Sequence, residues 1–320
     1  MVLKKRYKRV TVDYLSAVKR DISYIEGVRV KTNITLRGLT TFKIGGNCRL
    51  FLEPITYKAL KAVKNYLDIN SINYYILGAG SNILAPDEDI ECVLSLRGLV
   101  SFSLNKEPSF KDGIILRVGA GFSLKRLISW CMKNSFSGLE SLIGIPASVG
   151  GAIYMNAGIK EESISDSIAK ILVLKDKELI WLKRDDISPS YRDLGLRAGE
   201  IICASELKLK RCSQKLIKDK LLKMINSRVK SQPIGAKSAG CIFKNPKGDY
   251  AGRLIELCGL KGLRVGDAKV SEKHANFIIN LGDARQSDVL ELIDIIKAKV
   301  RERFSKELSL EVKVWGRENR

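Results

Sequence analysis

Two glycine-rich segments carry the residue types in this chain that are best suited to chemistry. The first, residues 144–158, reads Gly-Ile-Pro-Ala-Ser-Val-Gly-Gly-Ala-Ile-Tyr-Met-Asn-Ala-Gly and is too apolar for a linker. The second, residues 77–84, reads Leu-Gly-Ala-Gly-Ser-Asn-Ile-Leu and follows a strand-like run. Gly and Ala leave amide N–H groups uncovered and permit positive φ, as a cradle for a ligand diphosphate requires. Either segment alone would also suit a tight corner, but the two together favour a ligand site.

The turn at residues 78–80 does not match the dinucleotide-binding fingerprint of a Rossmann fold. No third Gly follows at the required spacing, and no helix pattern opens directly behind the turn. A Rossmann domain is therefore disfavoured.

Cysteine and histidine usage argues against disulfide and metal chemistry. The seven cysteines are odd in number and show no Cys-x-x-Cys spacing. The single histidine, His274, cannot build a histidine metal cluster, and we expect it to satisfy a local hydrogen bond. We predict no metal site.

The net charge of +21 is the feature most open to a nucleic-acid interpretation. Lysines are scattered along predicted helix faces, however, and only residues 1–9 form a dense basic block. We therefore expect no nucleic-acid partner, while the positive field would attract anionic small molecules. Every apolar run is far shorter than a bilayer span and no signal peptide is evident, so we expect a cytoplasmic protein without membrane contact. No obligate protein partner is evident.

Alternating strand and helix patterns predict an α+β chain. Apolar spacing predicts helices at residues 57–67 and, capped by Ser123, at 124–131. β-type runs occupy residues 93–96, 114–118, 171–174 and 201–209. After Arg211 the texture changes to a polar helix at 216–229, which predicts a domain boundary, and the tail at 308–315 looks like a strand.

Six motifs together produce a resemblance that no single one would support. In order they are residues 40–46, 77–84, 144–158, 191–192, 240–246 and 270–277. Their sequences and order, from about residue 30 to 316, resemble the UDP-N-acetylenolpyruvoylglucosamine reductase family. The short spacing between Pro246 and residues 251–256 resembles its type II subgroup.

The resemblance implies a flavoenzyme of the PCMH or vanillyl-alcohol-oxidase type. It implies an α+β fold with a basic N-terminal extension at 1–30, a two-subdomain FAD-binding module at 31–211 that divides near 85–98, and an α+β substrate-binding domain at 212–320. The final strand of that domain would carry Glu311. The implied activity is that of UDP-N-acetylmuramate dehydrogenase: NADPH, through bound FAD, reduces UDP-N-acetylglucosamine enolpyruvate to UDP-N-acetylmuramate for peptidoglycan.

The resemblance also assigns roles to individual residues. The implied catalytic residues are Arg192, Cys241 and Glu311. The implied cofactor residues are Thr41, Gly45, Gly46, Gly78, Gly80, Ser81, Asn82, Pro146, Ser148, Gly150, Gly151, Ala152 and Asn156. The implied substrate residues are Tyr191, Arg228, Lys230, Lys244 and Asn245.

The reaction itself explains why these catalytic residue types are needed. Hydride delivery to the enolpyruvyl group leaves carbanion character beside a carboxylate, so the site needs positive charge there and an acid to finish. By motif, Arg192 polarises the carboxylate, Glu311 stabilises the enol-like intermediate and Cys241 donates the proton. The family commonly has Ser at the position of Cys241. A thiol with an ordinary pKa near 8.5 is mostly protonated at neutral pH, so the donor role is retained.

Two other functions remain open from the residues alone. A flavin fold of this type also suits an FAD-linked oxidase or dehydrogenase of another small hydroxy substrate. A basic nucleic-acid-binding protein with glycine-rich turns would instead show no flavin spectrum and an affinity that falls steeply with salt.

Overall fold

The computed structural model describes residues 12–104, 112–159 and 161–316. The basic block predicted at residues 1–9 lies outside the described residues. The helices are α1 (Val12–Ser23), α2 (Tyr57–Ile69), α3 (Leu124–Lys133), α4 (Val149–Tyr154), α5 (Gln214–Ser231), α6 (Ala251–Leu257) and α7 (Gln286–Phe304). The strands are β1 (Val28–Thr35), β2 (Asn47–Pro54), β3 (Tyr74–Leu77), β4 (Ile83–Leu84), β5 (Ile90–Ser95), β6 (Phe102–Leu104), β7 (Gly113–Gly119), β8 (Phe136–Ser137), β9 (Ile168–Lys175), β10 (Glu178–Lys183), β11 (Ile201–Arg211), β12 (Arg264–Val265), β13 (Ala268–Val270), β14 (Ile278–Asn280) and β15 (Lys313–Val314).

The first sheet has the strand order β1-β2-β5-β3. The β1–β2 pair is antiparallel, whereas β2 and β3 each run parallel to β5. The predicted helix at 57–67 is confirmed as α2, whose Thr56 side chain accepts from Ala59 N and whose apolar stripe is buried. Helix α1 buries Val18 and Ile22 in the same core. Helix α1 therefore packs as part of this unit, because those apolar side chains leave water, and the expected boundary of an N-terminal extension at residue 30 remains a prediction.

The second sheet has the order β10-β9-β11-β7-β6, with β8 added beside β11. All its pairings are antiparallel. The strands predicted at 114–118, 171–174 and 201–209 are confirmed in β7, β9 and β11. Ser123 caps α3 through its side chain, as predicted, and Leu127 and Ile128 of that helix pack into the core beneath the sheet.

The C-terminal part combines α6, α7 and the small antiparallel sheet β12-β13-β14. Helix α7 buries Val289, Leu292 and Ile296 in this core. Phe42 and Leu84, from the first quarter of the chain, are buried in the same cluster. The C-terminal core is thus built partly from N-terminal residues. The domain boundaries expected from the sequence remain predictions.

The end of the chain differs from the expected strand. Only Lys313 and Val314 pair as a strand, parallel to β4. The main chain changes hydrogen-bond partners along this segment. Glu311 N donates to Ile242 O at 2.8 Å, whereas Lys313 N donates to Asn82 O at 3.0 Å. Glu311 therefore lies on an irregular segment just before the strand, and the prediction of a strand through it was wrong.

Candidate active site

A cavity of about 1900 Å³ runs between the two large sheets and the C-terminal part. Both glycine-rich segments line it, as do parts of the irregular chain that follows α5 and precedes β15. The lining includes these predicted site residues: Thr41, Gly78, Gly80, Ser81, Asn82, Pro146, Ser148, Gly150, Gly151, Ala152, Arg192, Arg228, Cys241 and Glu311.

The turn at residues 78–81 forms one wall, and its shape depends on missing side chains. Gly80 has φ +78°, and a Cβ there would lie 2.2 Å from Leu39 O. A Cβ on Gly78 would lie 2.7 Å from Ser148 Oγ. Within the described residues, the amides of Ala79, Gly80 and Ser81 donate no hydrogen bond. A run of uncovered amides facing a cavity fits the diphosphate of a bound dinucleotide.

The start of the short helix α4 lines the cavity directly beside this turn. The Ser148 side chain accepts from Gly151 N at 3.3 Å and so caps this helix. A Cβ on Gly150 would lie 2.6 Å from Ala120 Cβ. The two adjacent glycines thus allow the helix to pack closely on the end of β7 while Gly151 faces the cavity.

Three predicted cofactor residues do not line the cavity. A Cβ on Gly46 would meet Asp87 O at 2.4 Å, and one on Gly45 would meet Ala85 Cβ at 2.8 Å. Both glycines therefore serve backbone packing behind the wall. Asn156 is buried, and its Nδ2 donates to Ser190 O at 2.9 Å, which supports the turn before Arg192.

Asn82 lines the cavity but its side chain is already engaged. Its Nδ2 donates to Glu311 O at 3.0 Å. Together with the backbone bond from Lys313 N, this contact ties the glycine-rich turn to the segment that carries Glu311. Asn82 therefore joins the two ends of the site.

Arg192 and Glu311 meet at the other end of the cavity. Arg192 Nε lies 2.9 Å from Glu311 Oε1, and Arg192 Nη1 donates to Gly158 O at 3.0 Å. Both side chains are largely shielded from water, with 22% and 15% of their surface exposed. Arg192 has φ +60°, a left-handed conformation that is uncommon for a residue with a long side chain. Backbone strain of this kind concentrates at functional sites.

Cys241 borders the same pair. The backbone contact between Glu311 N and Ile242 O places the residue next to Cys241 against the Glu311 segment. Burial and the nearby Glu311 carboxylate raise the pKa of the Cys241 thiol to about 12, although Arg192 and Arg228 act in the opposite direction. The thiol is therefore protonated throughout the neutral range.

The carboxyl group of Glu311 is also perturbed. Burial raises its pKa above the ordinary value, while the Arg192 guanidinium, through charge and hydrogen bonding, and Lys244 oppose the rise. Arg228 responds to the same environment, because burial and the positive charge of Arg192 lower its pKa. Cation, carboxyl group and thiol are thus electrostatically coupled, as the sequence predicted for a site that manages negative charge.

The remaining predicted substrate residues lie outside the cavity lining. Tyr191 places its ring beside the Arg192 guanidinium, with 5.2 Å between the guanidinium carbon and the ring centroid. Its hydroxyl accepts from Asn245 N at 3.5 Å. Lys244 is half-buried near Glu311, whereas Lys230 is exposed at the end of α5. Tyr191, Lys244 and Asn245 therefore form a rim beside Arg192 and Glu311, and Lys230 stands apart.

Comparison with known proteins agrees with this geometry. The family model described as "UDP-N-acetylenolpyruvoylglucosamine reductase, C-terminal domain" matches residues 232–315, and the model described as "FAD binding domain" matches residues 48–179. The UDP-N-acetylenolpyruvoylglucosamine reductase of Pseudothermotoga lettingae is 42% identical over 289 residues, which cover 89% of this chain and 98% of that protein. The protein of the same name from Desulforamulus reducens is 40% identical over 296 residues, which cover 90% and 94%.

The chain belongs to the UDP-N-acetylenolpyruvoylglucosamine reductase family. The crystal structure of the reductase from Thermus caldophilus matches this fold with a TM-score of 0.77 at 38% identity, and the match covers 90% of this chain and 99% of that one. The resemblance drawn from the six motifs is thus confirmed, as is the α+β fold with an FAD-binding module. The roles of individual residues remain predictions.

Several cavity residues of this reductase-family chain were missed by sequence reasoning. Arg97 and Arg197 line the cavity, as do residues 232–238, which connect α5 to the C-terminal part. An isolated Arg resembles any surface Arg in sequence, so neither cation carries a local signal. The linker at 232–238 did carry one, since its Pro and Gly mark a turn that brings chain to the cavity.

The helices and the potential metal ligands of the described residues bear on other functions. Among the described residues, no helix is long and apolar enough to cross a membrane. Over the same ranges, no group of three or more His, Cys, Asp or Glu side chains could hold a metal ion. His274 Nδ1 accepts from Asn276 N at 3.2 Å, which confirms the local hydrogen bond expected of the single histidine.

Proposed function

We propose that this protein is the NADPH-dependent reductase that converts UDP-N-acetylglucosamine enolpyruvate to UDP-N-acetylmuramate in peptidoglycan precursor synthesis. The observation that carries the proposal is a single cavity with a glycine-rich cradle at one end and Arg192, Cys241 and Glu311 at the other. One end suits the binding of a flavin dinucleotide, and the other suits the binding of a small carboxylic acid.

FAD fits the cradle end by its chemistry. The uncovered amides of residues 79–81 are donors for the diphosphate, and the absence of a side chain at Gly151 leaves the neighbouring wall bare. Bound there, FAD would supply the hydride chemistry that links NADPH to the enolpyruvyl double bond. The protein contributes binding, orientation and charge.

Arg192 is the residue we assign to the substrate carboxylate. A planar guanidinium binds a carboxylate through paired N–H donors. Its Nη1 donates to Gly158 O, its Nε forms an ion pair with Glu311 Oε1 at 2.9 Å but has no well-aligned hydrogen-bond partner, and Nη2 makes no hydrogen bond within the described residues. The positive charge held there would stabilise negative charge that develops on the acid during reduction.

Cys241 and Glu311 complete the proton inventory. The thiol is protonated at neutral pH, so it can supply the proton that the reduced carbon needs. The carboxyl group of Glu311 has a pKa raised by burial, which brings its protonated form closer to neutral pH and allows it to hydrogen-bond an enol-like oxygen. Both groups lie against Arg192, so the three act on one carboxylate.

The nucleoside diphosphate part of the substrate would then lie toward the rim. Arg228 lines the cavity and its Nη2 donates to Ser141 O at 3.1 Å, which fixes its guanidinium near the cluster. Tyr191, Lys244 and Asn245 border the same opening. We assign these four residues, together with the exposed Lys230, to recognition of the substrate phosphates and sugar.

Absorbance of the purified protein tests the proposal. We expect a flavin spectrum that NADPH bleaches under anaerobic conditions and that UDP-N-acetylglucosamine enolpyruvate restores. A small hydroxy acid or alcohol in place of NADPH should leave the spectrum unchanged. A colourless protein that takes up no FAD, or a bleached flavin that the enolpyruvyl substrate does not reoxidise, would contradict the proposal.

A further inference from the structure

Arg97 makes an unusual set of contacts directly behind the glycine-rich wall. Its Nε donates to Gly78 O at 2.8 Å, and its Nη2 donates to Ala79 O at 2.9 Å and to Leu39 O at 2.6 Å. All three acceptors are main-chain carbonyls, and two belong to the turn itself. One planar guanidinium therefore fixes the orientation of consecutive peptide groups in that turn.

The direction of these hydrogen bonds determines where the amides point. A peptide group carries its N–H opposite its C=O. The carbonyls of Gly78 and Ala79 share their peptide units with the N–H groups of Ala79 and Gly80. When Arg97 holds those carbonyls, these N–H groups are turned away from the guanidinium. Those amides donate no hydrogen bond within the described residues. They are available to a ligand in the cavity.

The charge of Arg97 is also left without a matching carboxylate. No ion pair among the described residues includes Arg97, and burial lowers its pKa. Glu53 exerts the one opposing charge effect, but that carboxylate pairs with Arg29 at 3.1 Å. A half-buried cation without an ion-pair partner, at the wall of a cavity, is stabilised when an anion binds nearby.

A second copy of the same tetrapeptide shows that this arrangement is not a local property of sequence. Residues 36–39 and 96–99 both read Leu-Arg-Gly-Leu, and both begin with a short 3-10 turn after a strand. Arg37 points to the surface, where its Nη2 lies 2.9 Å from Asp283 Oδ1. Arg97 instead lines the cavity. The chain thus offers a matched arginine that is neutralised by Asp283 and does not itself line the cavity.

We propose that Arg97 is a positioning residue for the diphosphate of the bound flavin dinucleotide: it orients the turn at 78–80 and supplies uncompensated positive charge behind it. The inference rests on the FAD binding of the proposed function and adds a residue to it. Arg97 acts through the backbone it holds and through its charge, so it differs from the side chains assigned to catalysis.

Release of FAD from the purified holoprotein tests this role. The holoprotein is diluted at several NaCl concentrations, and the fluorescence of released FAD gives the dissociation constant. We expect Arg97→Met to weaken FAD binding about 10- to 100-fold, because charged hydrogen bonds to the cradle and a nearby cation are lost. Its dissociation constant should also depend less on salt than that of the wild type, since salt screens a charge that the variant lacks. A merely structural residue would leave that salt dependence unchanged.

Two further variants separate charge from geometry. Arg97→Lys should restore the salt dependence but leave binding at least about fivefold weaker, because an ammonium cannot hold three carbonyls in one plane. Arg37→Met should stay within about threefold of the wild type, since it removes an exposed ion pair of small effect and two hydrogen bonds, to Lys43 O and Gly282 O, neither of which holds the turn at 78–80. If Arg97→Met does not fold, Arg97→Lys decides the question.

The outcomes that overturn the inference are distinct from those that overturn the proposed function. Wild-type affinity in Arg97→Met, full recovery in Arg97→Lys, or a salt dependence unchanged by Arg97→Met would each remove the positioning role. A wild-type protein that purifies without flavin would instead contradict the proposed function. A flavin-bound wild type with an indifferent Arg97 would contradict this inference alone.

Discussion

The two ends of the cavity are built from different materials. The cradle end uses main-chain amides and carbonyls from residues 78–81, and its essential feature is the absence of side chains. The cluster end uses functional side chains from three distant parts of the sequence, at positions 192, 241 and 311, and its essential feature is their charge and protonation. The cradle end therefore tolerates little added side-chain volume, whereas the cluster end depends on the protonation states of its side chains.

Predictions for the two ends differ accordingly. A substitution at the cluster end should leave the fold and flavin binding intact and change one chemical step. A substitution at the cradle end should change stability and flavin binding together. Variants at each end, compared with matched controls, test whether the two ends differ in this way.

The largest effect is expected from Cys241→Ala. Loss of a general acid lowers a rate by about 10²- to 10⁴-fold. We expect a loss of this size in flavin reoxidation by the enolpyruvyl substrate, whereas flavin reduction by NADPH should stay near the wild-type rate. Stopped-flow absorbance measures both half-reactions separately. Cys258→Ala, at a partly exposed cysteine remote from the cavity, is the control. An unchanged second half-reaction in Cys241→Ala would remove the thiol from the mechanism.

The next largest effect is expected from Gly80→Ala. A Cβ at this position meets Leu39 O at 2.2 Å, so the Ala must push main chain aside in addition to adopting φ +78°. Gly259 has a similar φ of +72° with nothing within 4 Å of a Cβ. We expect Gly259→Ala to cost about 1–2 kcal/mol, the price of the left-handed conformation. Gly80→Ala should cost about 2 kcal/mol more and lose bound flavin.

Urea unfolding of both glycine variants, with flavin content measured on purification, checks this comparison. The difference between the two free energies of unfolding isolates the close approach of Leu39 O to Gly80, because the conformational cost is shared. Equal losses in the two variants would show that the cradle is not tightly packed. Flavin retention by Gly80→Ala would separate stability from cofactor binding.

How far the sequence predicted the molecule follows the same division. The cradle was found because its signal is local: small residues in a short window change what the backbone can do. The family resemblance added Gly45 and Gly46 to the cofactor residues, but their missing Cβ atoms serve contact with main chain and packed side chains behind the wall. The presence of Gly alone cannot show whether its exposed backbone contacts a ligand or other atoms of the protein.

The cluster end depends on long-range contacts that no local pattern reveals. Arg192, Cys241 and Glu311 were located through the ordered motifs of the family and not through periodicity or spacing. Arg37 and Arg97 show the limit most clearly, because an identical tetrapeptide places one cation on the surface and the other behind the cradle. Their difference arises from what the rest of the fold brings to each turn.

A smaller effect is expected in the pH dependence of stability when Glu311 is replaced by Gln. Burial raises the pKa of Glu311 in the folded protein, so folding favours the protonated carboxyl group. This stabilisation is complete below the pKa of the unfolded chain and is lost as pH rises through the folded-state pKa. Gln cannot ionise, so the melting temperature of Glu311→Gln relative to wild type should increase from about pH 4 to about pH 8.

The unpaired Arg192 in the Glu311→Gln variant adds a constant cost across this range, so the trend with pH carries the information and not the absolute difference. We expect this relative melting temperature to rise steadily between the two pH limits. Thermal melts without substrate measure it. A relative melting temperature that falls with pH would mean that attraction to Arg192 outweighs the desolvation of the carboxylate.

The most delicate comparison sets the wild type against Cys241→Ser. A serine hydroxyl stays protonated over the whole accessible range, whereas a thiol with an ordinary pKa would lose its proton above about pH 8.5. The environment of Cys241 raises that pKa to about 12, so both donors should remain protonated to about pH 10. The rate of flavin reoxidation in the wild type, divided by the rate in Cys241→Ser, should therefore be constant from about pH 7 to about pH 10. A ratio that falls above about pH 8.5 would show that Arg192 and Arg228 outweigh burial and Glu311 at the thiol. In that case the cluster would behave as a site that favours anions, and Glu311, which raises the pKa of the thiol, would have the smaller part in keeping the proton on sulfur.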